Sequence, residues 1–220
     1  MQINAFIPVS FKYIKDTYPS KGDRIVLQLQ EEILPMICER LTSIDTLTSI
    51  DLYVDGQVDE SLFPKKCRFL ARDPLGNIDD SYEEILSQYL THTDCDIVLG
   101  VNPLFPFVRR ETYKNLLKDV LTKGFESSTT AIFGGIEIGG DYQKIMLEDH
   151  QTPKAKAQTN KTDLGVAFCS KVTSFSAEGN RLRSPFNIHP IDTIELISLR
   201  RESDARLIEL VISSGLQMGI

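Results

Sequence analysis

With 220 residues, 41% of them hydrophobic, the chain can bury a full core as one domain, residues 1–220. Its formal net charge of −7 supplies no basic face for a phosphate backbone, which excludes a nucleic-acid partner. Cys38, Cys67, Cys95 and Cys169 stand singly, without the pairing of a zinc site or the density of a secreted disulfide scaffold, so reduced thiols are expected. The opening MQINAFIPVSF has no basic leader and no run reaches membrane-spanning length, so the expectation is a cytoplasmic protein with no membrane partner.

In chain order, Ile3 to Val9 predicts a strand ending near Pro8, and the polar SFKYIKDTYPSKGD after it predicts a loop bearing Lys12, Lys15 and Lys21. From Arg24 to Leu41 the apolar residues recur mostly at helical steps, predicting an amphipathic helix kinked by Pro35. Ser49 to Val54 predicts a second strand running into the turn pair Asp55-Gly56, and Cys67 to Leu70 a short third. RDPLGN is turn chemistry, and Asp80 or Ser81 would cap a helix through Leu90 with Glu83 and Glu84 in its first turn.

Asp96 to Val101 is a β-branched apolar run bounded by polar residues, the pattern of a central strand buried on both faces. In α/β sheets ligands sit beyond the carboxyl ends of strands, which is where NPLFPFVRR falls. Pro103 and Pro106 stiffen it and Arg109-Arg110 opens the next helix, suiting a phosphorylated or carboxylated ligand; a plain proline-rich loop is the alternative. That helix runs from Arg110 to Lys123 and stops at Gly124. A strand over 128–134 and a hairpin around Gly139-Gly140 follow. The polar stretch 148–161 is expected to be a mobile loop or arm, 164–170 a strand, 177–183 a turn around Gly179-Asn180, 193–199 a last strand and 203–213 a final helix. Strands alternating with helices predict an α/β, three-layer, mostly parallel sheet with helices on both faces.

His92, His150 and His189 lack ligand spacing to one another, so no zinc centre is expected. Asp94 and Asp96 precede their strand, the wrong end for a metal motif. Asp55 and Asp73 follow strands and face either the crevice or their own turns.

The order of features resembles the acylneuraminate cytidylyltransferases (CMP-sialic acid synthetases) of the nucleotide-diphospho-sugar transferase, GT-A-like fold. Phe6-Ile7-Pro8-Val9 is similar to that family's opening strand and IPAR, and Asp96 to Phe107 resembles its DIVVxLQPTSPL. Asp163 to Phe168 resembles a late glycine-containing strand, and SLRRESDARLIELVISSGL the DIDTxxD strand and closing helix. The resemblance implies transfer of CMP from CTP to an acidic, sialic-acid-like sugar with release of pyrophosphate. It places Pro8, Ser10, Lys12, Lys21 and Asn102 at the nucleotide and Arg109 and Asp73 at the sugar. It implies a small β-arm, 136–163, that pairs two subunits into a homodimer.

The resemblance also implies Mg2+ held by aspartates, and these are unmatched. Aligning the final helix through Asp204 puts Ser198 and Arg200 in their places, which predicts no metal site; a second register uses Asp192 and Glu195. The phosphate loop's glycine is also missing until Gly22, leaving Lys12, Lys15 and Lys21 as point charges. The alternative is therefore a non-catalytic relative that binds a sugar nucleotide or a partner protein, and a transferase of the same fold using another base is a third reading.

Overall fold

The computed structural model describes residues 1–18, 21–72, 82–131, 166–199, 206–208 and 210. A seven-stranded sheet organises them, in the order β3-β2-β1-β4-β6-β5-β7. β1 (Ile3–Val9), β2 (Ser49–Val54), β3 (Cys67–Ala71) and β4 (Ile97–Val101) are mutually parallel, as predicted. β6 (Ala167–Lys171) runs antiparallel to both β4 and β5 (Ser127–Ala131), and β7 (Phe186–Pro190) runs parallel to β5 at the edge.

Alternation along these strands divides the core. Ile3, Ala5, Ile7 and Val9 of β1 face one side, where α3 (Leu34–Thr42) and α5 (Arg110–Thr122) pack with Ile37, Leu41, Leu116 and Val120. Phe6 faces the other side, beneath α4 (Tyr82–Leu90), where its ring lies 4.3 Å from that of Tyr89. Gly100 lies on this second face under the Phe168 ring, where an added Cβ would come within 1.9 Å of Cε1. Helices therefore cover both faces, and the predicted fold class holds.

Several elements differ from expectation. The lysine-bearing stretch after β1 is not a loop: Ser10 caps a helix, α1 (Phe11–Thr17), whose Phe11 and Ile14 are buried. The kinked helix is α2 (Gly22–Gln28), a π-turn (Leu29–Ile33) and α3, with the Leu34 N–H reaching the Leu29 carbonyl one turn before Pro35. The turn expected at 177–183 is preceded by a helix, α6 (Val172–Glu178), which Gly179 ends at φ 66°. β7 was not foreseen. The strand expected at 193–199 is instead a 3₁₀ turn, Thr193–Leu196, because Asp192 and Glu195 form a capping box that winds the chain. The arm 136–163, the turn 73–77 and the cap at Asp80 or Ser81 lie outside the described residues.

Gly100→Ala is expected to cost about 1–3 kcal/mol in urea unfolding, because the methyl group has no room unless Phe168 leaves its position. An unchanged midpoint would contradict the packing.

Candidate functional site

β1 hydrogen-bonds to β2 on one side and β4 on the other, with Ala5 opposite both Ile50 and Leu99. All of these strands point the same way, so the segments after Val9, Val54 and Val101 emerge side by side. The chain leaves β1 for β2 and β3 in one direction and for β4 in the other, and a crevice opens at such a reversal. The segments after β1 and β4 are its two lips.

The β1 lip is tied to the β2 loop by Asp55. The Ser10 hydroxyl donates to Asp55 Oδ2 at 2.5 Å, and the Phe11 N–H donates to Oδ1 at 2.7 Å. Ser10 Oγ also accepts from the Tyr13 N–H at 3.1 Å as the helix cap. Beside this lock is a cleft of about 450 Å³ lined by Phe11, Lys12, Lys15, Gln30, Asp55 and Gln57 among others. Lys15 is held by Asp23 at 2.7 Å, whereas the exposed Lys12 presents its charge to the cleft. A strongly hydrated ammonium on a flexible stem suits a phosphate as a point charge.

The β4 lip carries Asn102, 3% exposed, whose Oδ1 accepts from the Leu104 N–H at 3.1 Å. Its Nδ2 is buried with no hydrogen-bond partner among the described residues. Arg40 of α3 holds this lip from behind: its Nη1 donates to the carbonyls of Pro106 at 2.9 Å and Val108 at 2.6 Å. Burial lowers the guanidinium pKa, opposed by the nearby Tyr113 and Glu195. Glu195 is 2% exposed, and its Oε2 accepts from the Arg109 N–H at 2.9 Å and the Thr112 hydroxyl at 2.7 Å, neutralising the start of α5.

The register of β1 with β4, Phe6 opposite Gly100, carries Pro8 toward Asn102 at one edge, whereas Ser10 is bonded to Asp55 and Lys12 lines the cleft on the β2 side with Asp55, Gly56 and Gln57. Lys21 caps α2, at the far end of α1 from the strand edge. Arg109 begins α5 and its guanidinium binds Asp192 at 2.5 Å. Asp73, Arg200 and Asp204 lie outside the described residues. Sequence reasoning missed Arg40; no local pattern marks it, since it acts on backbone carbonyls distant in the chain.

The second metal register does not fit a divalent ion. Glu195 Oε2 is occupied as described, its Oε1 accepts from the Asp192 N–H at 3.3 Å, and Asp192 is paired with Arg109. Ser198 is buried at 7% exposure, and no group of three His, Cys, Asp or Glu able to hold a metal occurs among the described residues. His92 lies against the Tyr53 ring and His189 beside Asn115, away from one another's chemistry. Cys38, Cys67, Cys95 and Cys169 are free thiols; burial pushes Cys95 up to about 12 and Cys169 well above the ordinary value. No described helix is long and apolar enough to cross a membrane.

This strand order, with one reversed strand beside the central pair, is the nucleotide-diphospho-sugar transferase fold of the GT-A-like class. No family model matches the sequence, and no curated protein matches it. Among solved structures, 4-diphosphocytidyl-2C-methyl-D-erythritol synthase from Anaerococcus prevotii superposes with a TM-score of 0.60 at 11% identity, covering 96% of this chain and 98% of its own. CMP:2-keto-3-deoxy-manno-octonic acid synthetase, solved with CTP, gives a TM-score of 0.59 at 10% identity, with 98% and 100% covered. A nucleotide-diphospho-sugar transferase structure from Desulfovibrio desulfuricans G20 gives 0.51 at 13% identity, with 97% and 96% covered. These likenesses establish the fold.

Asp55→Ala is expected to lower stability by about 1–3 kcal/mol in urea unfolding, since it strips the acceptor from the Phe11 N–H and the Ser10 hydroxyl. Lys12→Ala should stay within about 0.5 kcal/mol of the parent. Equal effects would contradict the distinction between a structural lock and a charge held for a ligand.

Proposed function

We propose that the crevice between the two lips takes a nucleotide, CTP foremost, and that the protein is a divergent cytidylyltransferase transferring CMP to an acidic, sialic-acid-like sugar. The observation that carries this reading is the parallel pairing of β1 with β4, which brings the segments after Val9 and Val101 out at one edge, with Lys12 in the cleft that adjoins it on the β2 side. In support, two of the superposable structures are named as cytidyl-group enzymes, one of them solved with CTP.

In the proposed reaction the sugar's anomeric hydroxyl oxygen attacks the α-phosphorus of CTP. The bond to the bridging oxygen breaks, pyrophosphate leaves and the hydroxyl proton passes to water. The protein's part is placement and charge compensation: Lys12 at the phosphates and the Asn102 Nδ2 donor at a sugar or base acceptor. Arg109 is assigned to the sugar carboxylate, which would compete with Asp192 for it. No step is routed through magnesium. A homodimer, paired through the arm 136–163, belongs to the same reading.

A second reading, a non-catalytic binder of a sugar nucleotide, is favoured by the engagement of Glu195 and Asp192 in internal bonds. The two differ in an assay of pyrophosphate release with CTP and a panel of nonulosonic acids. Turnover is expected; none with any sugar and any divalent metal would contradict the transferase. In calorimetry, CTP is expected to bind, about tenfold more weakly to Lys12→Ala. Equal affinity for that variant would remove Lys12 from the site, and magnesium-dependent binding would contradict the non-catalytic reading.

A further inference from the structure

Two of the four thiols meet beneath α3. In β3, Cys67 stands opposite Ile50 of β2 and Phe69 opposite Leu52, and these side chains face the core under α3, whereas Arg68 turns to the other face and binds Asp51. Cys38 lies on the inner side of α3, 0% exposed, in the same core, and the half-buried Cys67 packs against it. The two sulfurs interact directly: the Cys38 S–H donates to the Cys67 sulfur, which favours a thiolate at Cys67 and the protonated form at Cys38. Cys67 is accordingly drawn below the ordinary thiol value, against burial and the charge of Asp51, and Cys38 is held far above it. The other two thiols stand elsewhere. Cys95 packs on the α4 face, and Cys169 lies in β6, with β2, β1 and β4 between it and β3.

We propose that Cys67 and Cys38 form a reversible redox pair, in which a hydroperoxide oxidises Cys67 and Cys38 then closes a disulfide between β3 and α3. Exposure sets the order of events, since solvent reaches Cys67 and does not reach Cys38. With hydrogen peroxide as the simplest oxidant, the Cys67 thiolate sulfur attacks one oxygen, the O–O bond breaks and the departing hydroxide takes a proton to leave as water. Cys67 is then a sulfenic acid, beside a second thiol placed to resolve it. The Cys38 sulfur attacks the Cys67 sulfur, the S–S bond forms, the S–O bond breaks, and the hydroxyl leaves as a second water with the Cys38 proton. The two electrons lost by the thiols are those gained by the peroxide. A small dithiol reverses the bond by exchange. The disulfide ties α3 to the edge strand β3, and because α3 also carries Arg40, which holds the Pro106 and Val108 carbonyls, it fastens the helix that supports the β4 lip.

The test uses the full chain and no nucleotide, so it is decided independently of the proposed function. The protein is treated with hydrogen peroxide, the remaining thiols are alkylated on unfolding, and its peptides are weighed by mass spectrometry without reductant. A peptide pair joining Cys38 to Cys67 is expected, with Cys95 and Cys169 alkylated, and dithiothreitol is expected to restore all four thiols. In Cys67→Ser, whose replacement is half-exposed and leaves the core in place, Cys38 is expected to stay reduced under the same treatment. The oxidised protein is expected to unfold at a higher urea concentration than the reduced one, because the bond closes the loop between residues 38 and 67. A disulfide engaging Cys95 or Cys169, a sulfinic acid at Cys67 with Cys38 still free, or thiols untouched by peroxide would overturn the pair. Oxidation of Cys38 in Cys67→Ser would overturn it as well, and an equal or lower urea midpoint would overturn the fastening of α3.

Discussion

The parallel hydrogen bonding of β1 to both β2 and β4 is the constraint from which the rest follows. It fixes Ile3 opposite Ile97 and Asn4 opposite Ser49, and so fixes where the strands end. A shift of one residue would turn Ala5, Ile7 and Val9 toward the α4 face and Phe6 toward α3, exchanging small and large groups on both sides. With the register held by packing on two faces, the segments following the strands have no freedom about which edge they occupy. The crevice is a consequence of the core.

The polar groups at that edge are arranged economically. Asp55 answers the donors of the β1 lip, Glu195 those at the start of α5, and Arg40 the carbonyls of the proline-stiffened β4 lip. Asp55 and Glu195 are thus engaged by backbone donors. Lys12 is exposed at the cleft beside Asp55, and the buried Asn102 Nδ2 has no hydrogen-bond partner among the described residues; a cation and a neutral donor both suit an anionic, oxygen-rich molecule. At the opposite edge the buried Asp51 is held by Arg68 and the Tyr89 hydroxyl, a network whose role is to join β2, β3 and α4.

How much of this was legible in the sequence depends on what each element buries. β1, β2 and β4 bury both faces, so their apolar runs read directly, and the adjacency of the two lips followed from them. α1 escaped because only Phe11 and Ile14 turn inward while Lys12, Lys15 and Asp16 dominate its composition. β7 escaped because an edge strand with half-exposed Asn187, Ile188 and His189 has neither alternation nor an apolar run. The run after Asp192 misled in the other direction: its β-propensity is real, but a capping box outweighs propensity over four residues. Lys12 and Asn102 were singled out by the resemblance of their surroundings; Arg40 was not, since a bond to a distant carbonyl leaves no trace in local pattern.

The most direct test of the central claim, that function resides at the carboxyl edge shared by β1, β2 and β4, is a map of amide chemical-shift changes on titration with CTP. The account predicts the largest changes in the segments following Val9, Val54 and Val101, with Asn102 among them. Changes concentrated at the amino ends of the same strands, around Asp51, Arg68 and Thr93, would contradict it.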